Sequence, residues 1–341
     1  MSVVQETFIC IYCKKTVPEV KPTVSHVIPD FLGGALELKN AVCKDCNNRI
    51  NREIEEPMKK PFAYLRSGLD LGGRRRKEIK IPATTKILGK EIEINIRSEI
   101  EIPPFEYQKS TSEKGLVIVG DKNYVEKEKQ KINSKSKKTW KWEELEGSPN
   151  PKIFIEVLPF NILVDNKGQR LAAKIAFERL CQIRTPSLLV AGCYDEIREF
   201  ILTGNSSRIF SNLFFNFKVM NQNFNIPFPW HALFLMQRGY KLLSIVTLLG
   251  LFYFLVILTT RSPIFANWEE CILSNPQSKE EIVPILRGSL FPKIPDSAFR
   301  IGNDTYKKAA EYATDKFNKA LRSSECMIIT NKGIPEKAMS V

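Results

Sequence analysis

The sequence lacks an export signal, an internal repeat and an excess of acidic residues, and each absence narrows the class of protein. The first ten residues, MSVVQETFIC, contain no basic segment followed by an apolar run, so we expect a cytoplasmic protein. No repeat with a period of about 20 to 50 residues is visible, which argues against a solenoid. Hydrophobic residues make up 43% and charged residues 26% of the 341 positions, so neither wholesale disorder nor a polytopic membrane protein is expected.

Basic residues outnumber acidic residues by a wide margin. The 51 lysines and arginines against 38 aspartates and glutamates leave a formal net charge of +13. An excess of this size attracts polyanions through the release of their counterions, so nucleic acid is the first partner to consider. The alternative interpretation is a basic surface that serves only solubility.

Eight cysteines need an explanation in a chain that we expect in a reducing compartment, where disulfides are rare. Four of them form two pairs with the same spacing, Cys10-x2-Cys13 and Cys43-x2-Cys46. Two such pairs can enclose one tetrahedral Zn²⁺, so the spacing predicts a structural zinc site. The alternative is four unrelated free thiols. The other four lack this spacing and are interpreted as core residues: Cys181, Cys193, Cys271 and Cys326.

The segment between the two cysteine pairs contains one of only two histidines in the chain. His26 stands in the run SHVIPDFLGG, which precedes Asn40 and the run CKDCNN. In this order of residues, from about Ile9 to Arg52, the chain resembles the HNH endonucleases in their zinc-stapled ββα-metal form. The resemblance implies an α+β fold, a nucleic-acid substrate and a second, catalytic metal ion.

A neutral imidazole can take a proton from water at neutral pH, so His26 is the candidate general base for phosphodiester hydrolysis. The resemblance implies that Asn40 fixes His26 across the hairpin and that Asn47 gives an amide oxygen to the catalytic metal. Asn51 lies one helical turn after Asn47 and is a further candidate for this site. Oxygen ligands favour Mg²⁺ or Mn²⁺ over zinc.

One position departs from the family pattern. HNH enzymes usually place an acidic residue or histidine directly before the base as a metal ligand, and this chain has Ser25 there. Three outcomes stay open: Ser25 binds the metal more weakly, a carboxylate such as Asp30 or Glu53 substitutes, or catalysis is lost. If Ser25 occupies a ligand position, Ser25→Asp should hold or raise activity.

The rest of the chain has mixed patterns, and we divide it into an HNH module over 1–69, a basic β-rich region over 70–149 and a mixed α+β region over 150–341. Alternating isoleucines after residue 78 predict strands, and the runs at 166–182 and 294–321 predict helices. No charged side chain occurs between Lys241 and Arg261, so this stretch is either a membrane span or a set of buried antiparallel strands. Gly239 and Gly250 favour strands joined by tight turns.

The sequence therefore predicts a metal-dependent HNH endonuclease that hydrolyses DNA, with His26 as general base, Zn²⁺ as structural ion and Mg²⁺ or Mn²⁺ as catalytic ion. A role in defence, restriction or a mobile element rests on the resemblance alone. The first alternative is a non-catalytic, zinc-stabilised module that binds nucleic acid. The second is a membrane-attached effector. The sequence makes no prediction of the oligomeric state.

Overall fold

The structure is a computed structural model. It describes residues 8–59, 62–69, 71, 81–87, 90–96, 105–108, 116–119, 122–135, 153–156, 166–205, 211–213, 226–283 and 329–330. The helix predicted within 294–321 lies outside these residues. The chain divides into two compact units, of which the first comprises Met1–Lys77, Val157–Glu325 and Asn331–Val341 and the second comprises Glu78–Glu156 and Cys326–Thr330. The three-part division predicted from the sequence stays a prediction.

Strands and helices occur mostly in separate blocks along the described residues. In chain order the strands are β1 (Pro22–His26), β2 (Glu37–Cys43), β3 (Ile81–Ile87), β4 (Lys90–Ile96), β5 (Phe105–Gln108), β6 (Leu116–Val119), β7 (Ile153–Glu156), β8 (Ser211–Leu213), β9 (His231–Gly239), β10 (Lys241–Leu248), β11 (Phe252–Thr259), β12 (Ala266–Ser274), β13 (Glu281–Ile282) and β14 (Ile329–Thr330). The α-helices are α1 (Lys44–Ile50), α2 (Glu56–Lys59), α3 (Ala63–Gly68), α4 (Lys122–Lys135), α5 (Asn166–Ile183), α6 (Pro186–Leu189) and α7 (Asp195–Thr203). The predicted mixture of helix and sheet is confirmed.

The N-terminal part of the first unit is an antiparallel hairpin followed by a helix. Strands β1 and β2 pair, and α1 begins directly after β2. Between the strands a short 3-10 helix, Asp30–Leu32, ends at Gly33, whose φ of +81° is a conformation that favours glycine. A Cβ on Gly34 would lie 1.9 Å from the carbonyl oxygen of Ile28, so this position has no room for a side chain.

A single turn of π-helix, Asn51–Glu55, separates α1 from α2. Pro57 is the second residue of α2. Proline has no N–H to donate to the preceding turn of a helix. The change of helix type therefore falls just before the proline.

The largest sheet described in the first unit is six-stranded and antiparallel, in the order β13-β12-β9-β10-β11-β8. Gly239 and Gly250, with φ of +60° and +63°, lie in the turns that join β9, β10 and β11. The strand interpretation of the uncharged stretch is confirmed. Within the described part of the chain, no helix is long and apolar enough to cross a membrane.

Helix α5 is the core element that joins the sheet to the N-terminal hairpin. Every residue of α5 from Arg170 to Cys181 is buried. The helix contacts β9, β10 and β11 of the sheet and also β2 and the π-helix turn. Its charged side chains are therefore held inside the unit, next to the segment that contains His26.

The second unit is described by its own sheets. Strands β14, β7, β3 and β4 form a four-stranded sheet in that order, and β5 pairs with β6. Strands β3 and β4 are antiparallel over Ile81–Ile96, which confirms the strands predicted from the alternating isoleucines.

Candidate active site and metal centre

Four cysteine sulfurs gather near the N-terminus. The ligand atoms of Cys10, Cys13, Cys43 and Cys46 all lie within 4.8 Å of one another, and the sulfurs of Cys13 and Cys43 are 3.8 Å apart. Zinc–sulfur bonds of about 2.3 Å in a tetrahedron place two sulfurs about 3.8 Å apart. The predicted cluster is confirmed, and its donor set suits a structural metal such as zinc.

The backbone shapes this cluster locally. Cys43 ends β2 and Cys46 lies in the first turn of α1, so the strand-to-helix junction presents both sulfurs together. The amide of Cys43 donates to the sulfur of Cys10, and the amide of Cys46 donates to the sulfur of Cys43, each at 3.4 Å. The hydrogen bond from the Cys46 thiol, together with backbone amides, lowers the pKa of the Cys10 thiol to about 5. A thiolate is the form that binds a metal.

His26 ends β1 and faces a carboxylate across the hairpin. Its register partner in β2 is Glu37, and the distance from His26 Nε2 to Glu37 Oε1 is 3.8 Å. The two side chains are 23% and 31% exposed, so water reaches both. The sequence analysis missed Glu37. Counting strand partners back from Cys43 places Glu37 opposite His26 only when the bulge in β2 is included, and the sequence does not reveal that bulge.

Asn47 contacts the same strand from α1. Its amide Nδ2 donates to the carbonyl oxygen of Val24 at 3.3 Å. Val24 and His26 are two positions apart in β1, and side chains at this spacing share one face of a strand. Since the NH₂ group of Asn47 donates to the strand, the amide oxygen is the end of the side chain that can bind a cation or accept a hydrogen bond. Asn51 is exposed at the start of the π-helix turn.

Asn40 occupies a bulge. The pairing of β1 and β2 shifts register between Thr23 and Ser25, and Asn40 falls in the extra length of β2 with a φ of +54°. Asparagine adopts this left-handed conformation more readily than most residues. Glu37, rather than Asn40, stands directly across from His26. The role that the resemblance implies for Asn40 stays a prediction.

Ser25 lies on the buried side of β1. Only 1% of the residue is exposed, and its hydroxyl donates to the two carboxylate oxygens of Glu178 in α5 at 3.1 and 2.9 Å. The hydroxyl of Tyr12 donates to the same carboxylate at 2.9 Å. The structure therefore brings Ser25 to α5 and does not place it beside the partly exposed imidazole of His26.

Lys174 is a second charged residue of α5 that reaches the hairpin. Its Nζ lies 3.1 Å from Glu55 Oε1 and 3.2 Å from Glu178 Oε2. The same ammonium donates to the carbonyl oxygen of His26 and, at 3.3 Å, to that of Val27. Lys174 and Glu178 have no exposed side-chain surface. Sequence reasoning missed both because about 150 residues separate them from the hairpin.

Asp30 and Glu53 are the two carboxylates that the sequence offers as substitutes for the missing acidic ligand. Asp30 begins the 3-10 helix after β1. The carboxylate oxygens of Glu53 lie 3.3 Å from Arg49 Nε, 3.0 Å from Arg52 Nη2 and 3.4 Å from Arg170 Nη2. Burial raises the pKa of Glu53, but the hydrogen bonds from Arg52 and Arg49 lower it by more. The Glu53 carboxylate is therefore charged, and the arginines balance its charge.

Comparison with known proteins identifies the N-terminal segment. Residues 10–63 match the family model described as HNH endonuclease, a stretch that includes both cysteine pairs, His26 and Asn47. No curated protein and no solved structure matches the chain. The resemblance predicted from the motif is confirmed, and residues 10–63 carry the signature of the HNH endonucleases.

Proposed function

We propose that this chain is a metal-dependent endonuclease that hydrolyses phosphodiester bonds of DNA, with His26 as the general base. The observation that carries the proposal is the position of His26. Its imidazole is partly exposed at the end of a strand, 3.8 Å from Glu37, in a hairpin that the four-cysteine cluster closes. The match of residues 10–63 to the HNH endonucleases supports the same activity.

The reaction needs a base for water and a stabilising charge for the phosphate. In the proposed mechanism His26 takes a proton from water while the water oxygen attacks phosphorus. The imidazolium then formed is stabilised by the carboxylate of Glu37, because opposite charges attract at this distance. The bond from phosphorus to the leaving oxygen breaks as the new bond forms, and that oxygen keeps the electron pair and takes a proton from solvent water.

The catalytic cation of this proposal is a hard divalent ion with oxygen ligands. The amide oxygen of Asn47 and the carboxylate of Glu37 would hold Mg²⁺ or Mn²⁺, which prefer oxygen ligands. When bound, the cation supplies neutralisation of the charge that develops on the phosphate. Ser25 contributes no ligand in this proposal, since its hydroxyl is bonded to Glu178.

DNA is the proposed substrate because of the charge of the chain. A net charge of +13 favours phosphate contacts, which supply affinity without reading the base sequence. Exposed cations close to the hairpin include Lys39 at 70% and Arg52 at 73% exposure. Any preference for a sequence would come from other parts of the chain or from the shape of the DNA.

One observation favours a second candidate function, a zinc-stabilised module that binds nucleic acid without cutting it. The position directly before His26 holds a buried serine where HNH enzymes usually have a ligand. With fewer ligands the catalytic cation would bind more weakly or not at all.

Supercoiled plasmid distinguishes the two functions. The zinc-loaded protein is mixed with plasmid in Mg²⁺ or Mn²⁺, with a matched reaction in Ca²⁺, a cation that often supports binding without supporting cleavage. Nicking in Mg²⁺ or Mn²⁺ supports the endonuclease. A mobility shift without any cleavage, across these metals and from acid to alkaline pH, supports the binding module.

A further inference from the structure

The structure points to a positioning role for α5: we propose that Lys174 and Glu178 hold the end of β1 in place from its buried side, so that the His26 imidazole faces its substrate in a fixed direction. This inference rests on the proposed function. It extends the site beyond residues 10–63, because α5 begins about 100 residues after that segment.

Lys174 binds the backbone on either side of one residue. Its ammonium donates to the carbonyl oxygens of His26 and Val27, which belong to consecutive peptide groups. The amide of Val27 in turn donates to the carbonyl oxygen of Leu36 at 2.9 Å. The peptide group that follows His26 is therefore held from two directions, which restricts the backbone that carries the imidazole.

Glu178 binds Ser25, the residue that precedes His26, and also the segment of the first cysteine pair. Its carboxylate accepts hydrogen bonds from Ser25 and from Tyr12, which lies between Cys10 and Cys13. One buried carboxylate thus connects β1 to the metal cluster. Glu55 of the π-helix turn completes the network through its ion pair with Lys174.

Stability alone does not explain these buried charges. Removing two charges from water costs free energy that their attraction often fails to recover. A protein with apolar side chains of similar size in their place is commonly as stable. Lys174 stays cationic in this setting: burial lowers its pKa, but Glu178 and Glu55 raise it by more. The charge is kept where it contacts two backbone carbonyls next to the proposed base.

The double variant Lys174→Met/Glu178→Leu removes both fully buried charges together and leaves only Glu55, which is 16% exposed, without its ion-pair partner. A base displaced by about 1 Å can cost roughly 100-fold in rate. We therefore expect kcat for plasmid nicking to fall by about 100-fold, whereas KM for DNA and zinc content stay close to those of the wild type.

Gln237→Leu is the matched control. Gln237 is 2% exposed and bonds to Ser262, in the segment between β11 and β12, and to Trp268 of β12, so its loss also disrupts a buried polar network of the same unit. Both variants are assayed well below their melting temperatures. A positioning role lowers kcat only in the double variant, whereas a fall of the same size in both variants would show a general effect of disrupting the buried core and would overturn that role.

Hydrogen–deuterium exchange of the β1–β2 hairpin gives a readout that does not need activity. Faster exchange around Val27 in the double variant than in the Gln237→Leu control is expected. Unchanged kcat in the double variant, or unchanged exchange in it, would overturn the positioning role. If the wild type fails to cleave DNA but the exchange result holds, the proposed function fails while the structural part of the inference stands.

Discussion

The hydroxyl of Ser25 donates hydrogen bonds to the two carboxylate oxygens of Glu178, at 3.1 and 2.9 Å, across 153 positions of the chain. The residue before the proposed base is therefore part of the buried scaffold. Its neighbour His26 remains partly exposed on the other side of the strand. A small hydroxyl fits this position because it donates to a buried carboxylate that needs donors.

Ser25→Asp should destabilise the protein. The new carboxylate would lie against Glu178 without water to screen the repulsion, and uncompensated buried charges cost about 3 to 5 kcal/mol. We expect the free energy of unfolding, measured by urea denaturation, to fall by about this amount and nuclease activity to fall with it. Ser25→Ala, which removes only the hydroxyl, should cost about 1 to 3 kcal/mol. A Ser25→Asp protein with wild-type stability and higher activity would instead support the ligand role predicted from the sequence.

Cys43→Ser should unfold the N-terminal segment, because zinc binding contributes folding free energy to a module of this kind. We expect zinc content, measured by atomic emission, to fall from about one ion per chain to near zero. Limited proteolysis should then cut within residues 10–63. Cys193→Ser is the control, since Cys193 lies outside the four-cysteine cluster. Normal zinc content in Cys43→Ser would refute the assignment of the cluster.

His231 should make the protein less stable in acid. Its ring is fully buried, with Nε2 donating to the carbonyl of Leu32 at 2.9 Å and Nδ1 accepting from the amide of Leu249 at 3.2 Å. Burial, with the nearby charge of Lys279, lowers the pKa of His231 from 6.5 to about 4. Between these pH values the unfolded chain binds a proton that the folded chain does not, so stability falls as the pH falls.

The expected loss from this one group is about 3 kcal/mol between pH 7 and pH 4. The measurement is urea unfolding across this range for the wild type and for His231→Gln, which cannot titrate. Acid release of zinc affects both proteins, so the difference between them isolates the histidine. Parallel pH profiles for the two proteins would contradict the buried neutral state.

DNA affinity should depend strongly on salt. If phosphate contacts supply the affinity, the logarithm of the binding constant falls linearly with the logarithm of salt concentration, with a slope of about −0.9 for each phosphate neutralised. Fluorescence anisotropy with two duplexes of unrelated sequence would measure it. We expect similar steep slopes for both duplexes, and a salt-independent affinity would rule out an electrostatic interface.

Local spacing predicted the parts of the site that depend on local geometry. The cysteine spacing predicted the four-sulfur cluster, whereas the hairpin around His26 and the helix after it were implied by the resemblance to the HNH endonucleases. The strands within Lys241–Arg261 could also be predicted, because Gly250 permits the turn that a membrane helix would not need.

Long-range contacts could not be predicted in the same way. Nothing in the amphipathic pattern of α5 distinguishes Lys174 and Glu178 from solvated charges of a surface helix, and only the packed structure brings them to β1. The position of Glu37 opposite His26 depends on the bulge that includes Asn40, where β2 advances four residues while β1 advances two, and this shift changes which side chains meet across the hairpin.

The most direct test of His26 as the general base is plasmid nicking by His26→Ala in Mn²⁺. Zinc content, stability and DNA affinity are determined on the same preparation. We expect the wild type to nick the plasmid and His26→Ala not to nick it, while zinc content and DNA affinity are the same in both, because His26 is partly exposed and outside the cysteine cluster. Nicking at the wild-type rate by a folded His26→Ala protein would contradict the assignment of His26 as the base.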